Sequence, residues 1–181
     1  MREAQEPVRL FFALWPDPAL QQQFYLAGKT LHRVCGGRQT RRENIHLTLA
    51  FLGEVEAARL ARVKAIAAGI EASDFSLAFT RLGWWRSNQV AWAATGETPR
   101  PLLELVRQLQ LGLAEERFKF DERRYLPHVT LLRKAQCGDA RLNIPPLLWP
   151  VREFVLVRST LQAGGPHYAI EGRWPLKGVA A

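Results

Sequence analysis

No stretch of the sequence approaches the roughly 20 consecutive apolar residues that cross a bilayer as a helix, so no membrane partner is expected. There is no block of like charge and no Gly/Ser tract, which leaves no ground for disorder beyond the ends. The opening segment, MREAQEPVRLFFALW, holds only a short apolar run, its approach broken by Pro7 and Arg9. No small-residue cleavage site follows, and no secretory leader is expected. Cysteine is scarce: Cys35 and Cys137 stand far apart and in no C-x-x-C. That excludes a thiolate zinc site and points to two unpaired thiols in a reducing cytosol rather than a disulfide. Histidine numbers four, and no other His, Cys or carboxylate stands at ligand-like spacing to complete a metal site. Neither a metal nor another cofactor is expected.

Acidic residues are also short of balance. The 181 residues carry 25 Lys and Arg against 17 Asp and Glu, a net charge of +8. Such a surface is either merely solubilising or made for a polyanion such as RNA. The charge is grouped. Arg38, Arg41 and Arg42 precede one histidine in GRQTRRENIH, and Arg117, Lys119, Arg123 and Arg124 precede another in RFKFDERRYLPH.

What is present is a repeated pattern of strands and helices. VRLFFALW (8–15) reads as a buried strand. A helix follows, capped by Asp17 and opened by Pro18, with Leu20, Phe24, Ala27 and Leu31 as its apolar stripe. IHLTLAFLG reads as a strand closed by Gly53. EVEAARLARVKAIAAGIEA reads as a second helix, with Val55, Leu60, Val63, Ile66 and Ile70 inward. FSLAFTRLGWW and NQVAWAAT (88–95) are strands. Thr98 is placed to cap a helix opened by Pro99, with Leu102, Leu105, Val106, Leu109 and Leu113 inward. HVTLL is the next strand. GDARLNIPPLLWP reads as a proline-rich loop, VREFVLVRSTLQ and HYAIEGRWPL as a hairpin about AGGP, and KGVAA as a loose tail. Val8 to His46 spans 38 residues, and so does Val90 to His128. Strand, helix and H-x-T-L strand therefore occur twice in the same order, which suggests a duplicated unit. No linker separates the halves, and one domain over 1–181 built of two packed lobes is expected.

The repeated H-x-T-L carries the chemistry. With four His, eight Thr and 26 Leu, chance supplies the motif roughly 0.03 times, so two copies form a signal that one does not. Side chains alternate along a strand. His46 and Thr48 thus share one face, and Leu47 and Leu49 anchor the other. His128 and Thr130 likewise oppose Val129 and Leu131. Two such strands would line a cleft with two imidazoles and two hydroxyls. A neutral His can take a proton while a protonated one gives one. Hydroxyls and nearby arginines can hold phosphate oxygens and the charge that grows on them. The residues alone do not say which His is acid and which is base. His32, near a helix end, and His167, in a hairpin turn, read as surface residues.

The paired HLTL and HVTL resemble the 2H phosphoesterase superfamily. Within it, RLFFAL, ENIHLTLAFLGEV, YLPHVTLLR and FVLVRSTLQAGGPHYAIEGRWPL are similar, in order, to the RNA 2′,3′-cyclic phosphodiesterases, also called 2′-5′ RNA ligases. The resemblance covers about residues 8–176. It implies a bilobed α+β (LigT-like) fold, two pseudo-symmetric lobes with antiparallel sheets and outer helices around a central cleft. It implies hydrolysis of RNA or nucleoside 2′,3′-cyclic phosphates to 2′-phosphates, with His46 as proton donor and His128 as proton acceptor. Thr48 and Thr130 would bind phosphate, joined by Arg133. Five residues from His128, however, Arg133 falls on the opposite face unless the strand bulges or ends first. Where the family tends to have Pro and Arg, this chain reads WWRSNQVAW, a departure at the cleft entrance. Arg42 and Arg124 could steer RNA. Among Phe11, Trp84, Trp85, Tyr125 and Tyr168, aromatics able to stack a base, Phe11 and Tyr168 are taken as substrate contacts. The expected partner is RNA ending in a 2′,3′-cyclic phosphate, or a small cyclic nucleotide, met by a cytoplasmic monomer. Two alternatives remain open: 2′-5′ ligation or its reversal at the same site, and a module that binds RNA without turnover.

Overall fold

The computed structural model describes residues 6–138 and 144–178. Its strands are β1 (Val8–Leu14), β2 (Arg38–Gln39), β3 (Leu47–Val55), β4 (Phe75–Trp85), β5 (Val90–Thr95), β6 (Val129–Arg133), β7 (Leu147–Val151), β8 (Glu153–Gln162) and β9 (Gly165–Pro175). Its helices are α1 (Pro18–Cys35), α2 (Leu60–Ala68) and α3 (Arg100–Glu115). The strands pair antiparallel in the order β7-β4-β5-β6-β3-β1-β8-β9, with β2 added beside β6. This is the expected α+β architecture of two four-stranded halves. The halves meet edge to edge at the two H-x-T-L strands, through the single pair Leu47 opposite Val129.

The helices are exchanged between the halves. α1 follows β1 in sequence but packs on β6 and β7 of the other half. Phe24 of α1 meets Phe79 of β4 edge-on at 5.0 Å and Trp149 of β7 at 6.3 Å. α3 follows β5 but packs on β3 and on α2. One large core therefore runs beneath both halves on the helix side, including Leu10, Phe12, Leu47, Leu49, Val129 and Leu131. The opposite face carries a smaller apolar cluster, Phe11, Ala13, Val155 and Val157. Strand alternation sorts β1 between the two, with Leu10 and Phe12 in one cluster and Phe11 and Ala13 in the other.

Most elements lie where the sequence puts them. Asp17 caps α1, its Oδ1 accepting from the Leu20 amide at 2.8 Å, and the five predicted inward positions of α3 are all buried. Several expectations are corrected. Gly53 does not close β3, which runs on to Val55 because Val55 still pairs with Val8. The second helix is correspondingly shorter, a 3-10 turn over 57–59 leading into α2. Thr98 is not the cap of α3. Pro101 fits the first turn, where its missing N–H is not needed, and the cap position falls on Pro99 with no side-chain bond. Leu147–Val151 is a strand, not loop; of the predicted loop, 139–143 lie outside the described residues. In the predicted tail, Lys177 donates its backbone N–H to Ala72 and bonds Glu71 through Nζ, while 179–181 lie outside the described residues.

The cysteines overturn the expectation of free thiols. Cys35, at the end of α1, is disulfide-bonded to Cys137, four residues beyond β6. The packing of α1 on β6 brings them together, and the Gln136 amide donates to the Cys35 carbonyl at 2.9 Å. The premise on which a reducing compartment was expected is thereby removed.

Candidate active site

The pair Leu47–Val129 sets the site. Continued antiparallel, it runs His46 toward Thr130 and Thr48 toward His128 on the face away from the helices. Both histidines, both threonines and Arg133 line one open cavity of about 420 Å³. The two predicted motifs are thus brought together as facing halves of one cleft.

Each histidine is wired in the same way. His46 Nδ1 lies 2.7 Å from the Asn44 carbonyl, and His128 Nδ1 lies 2.8 Å from the Leu126 carbonyl. A carbonyl only accepts, so Nδ1 carries the proton and Nε2 is left as the working nitrogen. His46 Nε2 accepts from the Thr48 hydroxyl at 3.1 Å. Thr48 is fixed in turn, its carbonyl accepting from the Tyr125 hydroxyl at 3.2 Å.

Aromatic rings hold the imidazoles. Trp15 stacks on His46 at 5.3 Å and 5° between planes, Phe11 lies 5.0 Å away, and Tyr168 meets the ring edge-on at 5.4 Å. Trp85 meets His128 edge-on at 4.6 Å. This burial pushes the His46 pKa from 6.5 down to about 4, against the Asn44 bond and with help from the charges of Arg133 and His128. Burial also lowers the His128 pKa, again assisted by Arg133. Burial raises the Tyr125 and Tyr168 hydroxyls. Both imidazoles are therefore neutral near pH 7.

Arg133 reaches the cleft because β6 bulges. Ala91 pairs with Leu132 and Trp92 with Thr130, so Leu131 is an extra residue between them. Leu131 and Leu132 both point to the core, and the alternation resumes with Arg133 on the face of Thr130. Its guanidinium lines the central cavity and both flanking ones.

Other predicted residues fare differently. Tyr168 lines the central cavity. Phe11 does too, but at 3% exposure its faces are packed against His46 and Tyr168. It is a floor under His46 and has no free face on which to stack a base. Arg124 lines a larger cavity of about 470 Å³ on the His128 side. Arg42 is not brought in: its Nη1 donates to Gln22 Oε1 at 3.3 Å, because the 3-10 turn over 42–44 rotates it toward α1. Arg41 instead lines a smaller cavity of about 210 Å³ on the His46 side. Trp84 serves the framework, donating Nε1–H to the Ala135 carbonyl at 2.9 Å. His32 and His167 are exposed, as expected. Sequence reasoning missed Trp15 and Asn44. The first had a readable signal, since Phe11, Ala13 and Trp15 alternate onto one face. The second acts through its backbone and had none.

Two imidazoles whose Nε2 atoms are not tied to the backbone, in one cavity with two hydroxyls and a guanidinium, define a 2H phosphoesterase. The family description "LigT like Phosphoesterase" matches residues 14–92. The RNA 2′,3′-cyclic phosphodiesterase of Escherichia coli is 33% identical over 94% of this chain and 98% of its own length. That of Thermotoga maritima is 27% identical over 90% and 92%. The crystal structure of E. coli LigT in apo form superposes with a TM-score of 0.84 at 32% identity, covering 96% of this chain and 99% of that one. The same protein complexed with 3′-AMP also gives 0.84, over 94% and 99%. The chain belongs to the RNA 2′,3′-cyclic phosphodiesterase family of LigT-like phosphoesterases, and is an enzyme of that class.

Proposed function

We propose that the protein hydrolyses 2′,3′-cyclic phosphates at RNA ends or on nucleosides, leaving a 2′-phosphate and a free 3′-hydroxyl. The observation that carries this reading is the pair of histidines, each with Nδ1 tied to a carbonyl and Nε2 turned to a cavity that also holds Thr48, Thr130 and Arg133. That E. coli LigT forms a complex with 3′-AMP supports a nucleotide as ligand.

The cyclic phosphate sits between the histidines. His128 Nε2 takes a proton from water, whose oxygen attacks phosphorus. The P–O3′ bond breaks on the opposite side, and His46 gives its Nε2 proton to O3′. Arg133, Thr48 and Thr130 hold the non-bridging oxygens and the charge that builds on them. The phosphate itself prepares the acid. Its negative charge offsets Arg133 and raises His46 from about 4 toward the range where it holds a proton. Both proton transfers and the charge are handled by side chains, so turnover is expected without a metal.

The test uses an oligonucleotide ending in a 2′,3′-cyclic phosphate, with chelator present. His46→Ala and His128→Ala should each lower turnover roughly 100-fold or more. Full activity in either variant, or a 3′-phosphate product, would overturn the reading. A second reading is favoured by the cavity of about 470 Å³ beside His128. It is large enough for a nucleoside, whose 5′-hydroxyl would replace water and give a 2′-5′ linkage.

A further inference from the structure

We propose that the small cavity beside His46 is a subsite for the phosphodiester on the 5′ side of the terminal nucleotide, so that the enzyme prefers RNA ends to cyclic mononucleotides. The inference rests on the cyclic-phosphate reading above.

The first ground is an unbalanced charge pair. Arg38 of β2 stands directly opposite Arg133 of β6 in the antiparallel register. Residues so paired point to the same face, and like charges there destabilise the pair. Arg41 adds a third guanidinium to the same cavity. No Asp or Glu lines it, and none of the three arginines has a carboxylate partner among the described residues. Three cations around one void without an acid make a site for an anion.

The second ground is size. At about 210 Å³ the cavity falls below the 300–1,000 Å³ typical of small-molecule sites. It suits a phosphodiester better than a nucleoside. The third ground is where the ribose must lie. With O3′ leaving toward His46, the 3′ side of the sugar faces this cavity. C3′ is bonded to C4′, which bears C5′ and the 5′ linkage. The 2′ side leads instead to C1′ and the base. The bonding of ribose thus delivers the 5′ phosphodiester to the His46 side, one nucleotide step from the phosphate that Arg133 holds.

The cavity wall is also secured. Arg41 Nη2 donates to the Gly164 carbonyl at 2.7 Å, and Asn44 Nδ2 donates to the Pro166 carbonyl at 3.0 Å. These bonds hold the β8–β9 turn against the 40–44 segment, with Arg41 at the seam.

Calorimetry with two probes tests this. Adenosine 2′,5′-bisphosphate and adenosine 2′-phosphate differ only in the 5′ phosphate. The wild-type protein should bind the bisphosphate roughly tenfold tighter or more, an advantage that shrinks as salt rises. Arg38→Gln with Arg41→Gln keeps hydrogen-bond donors and removes both charges. It should bring the ratio below about threefold while leaving affinity for adenosine 2′-phosphate nearly unchanged. Arg38→Gln alone breaks no hydrogen bond within the described residues and should lower the ratio by about threefold. An equal affinity for the two probes in the wild-type protein, or a ratio kept by the double variant, overturns the subsite. Turnover of an oligonucleotide ending in a 2′,3′-cyclic phosphate is measured alongside. Its absence would overturn the reaction and not the subsite, because the probes report binding alone.

Discussion

His46 and His128 share the same backbone wiring but not the same surroundings. Three aromatic rings enclose His46 and one touches His128. Both pKa values are lowered, His46 to about 4. The kcat/KM profile reports the free enzyme, so its bell should lie below pH 6.5. The kcat profile reports the loaded cleft, where the bound phosphate raises both groups, so it should sit at higher pH. Histidine proton shifts should show the same rise when adenosine 2′-phosphate is added. Coincident profiles would sink the proposed role of the phosphate, unless a step other than chemistry limits kcat. At this scale much was legible. Alternation alone sorts His46, Thr48, His128 and Thr130 onto one face and their leucine and valine neighbours onto the other. Arg133 was named through the resemblance alone, because a one-residue bulge leaves no mark in a string of Val, Thr and Leu. The choice of Arg41 over Arg42 was equally silent, being decided by a single 3-10 turn.

The elements that carry these residues are held by close backbone contacts. Gly37, between α1 and β2, has φ +83, and a Cβ there would meet the Arg133 carbonyl oxygen at 2.6 Å and the Ala135 nitrogen at 2.9 Å. Gly36 beside it also has positive φ but open space around it. Gly36→Ala, at φ 61 and ψ −148, should cost about 1–3 kcal/mol and leave turnover close to normal. Gly37→Ala adds a collision with the backbone of β6, should cost about 2–4 kcal/mol, and should lower kcat/KM by displacing Arg133. Denaturant midpoints and turnover of a cyclic-phosphate substrate check both. Equal activity in the two variants would separate Arg133 from this contact. Strands and helices were largely readable from period and from caps such as Asp17. Their ends were not, because tertiary pairing decides them: Val8 keeps Val55 in β3, and the second proline of PRP moves the start of α3.

Across the whole molecule, the link between Cys35 and Cys137 spans 102 residues of chain. By the entropy of closing such a loop, reduction should lower stability by about 4–5 kcal/mol at most, read as a shift in denaturant midpoint with and without a thiol reductant. No spacing rule exposes a pair so distant; it follows from α1 crossing to lie on β6. A second dependence is on pH. His46 has a folded pKa of about 4 against 6.5 for the free side chain. The unfolded chain therefore binds the proton first, and stability falls as pH drops from 6.5 toward 4. The loss is about 3 kcal/mol for this group, and His46→Gln should flatten it. The exchange of helices has a consequence of its own. A chain cut between α2 and β4 would leave β4 to β7 on one fragment and α1, the helix that covers them, on the other. It would also strand β8, with β9 beside it, away from β1, the partner of β8. Each piece would expose an apolar face made to fit the other, so two fragments fused to separate proteins should remain silent until brought together, and then report that meeting by cleaving a cyclic phosphate.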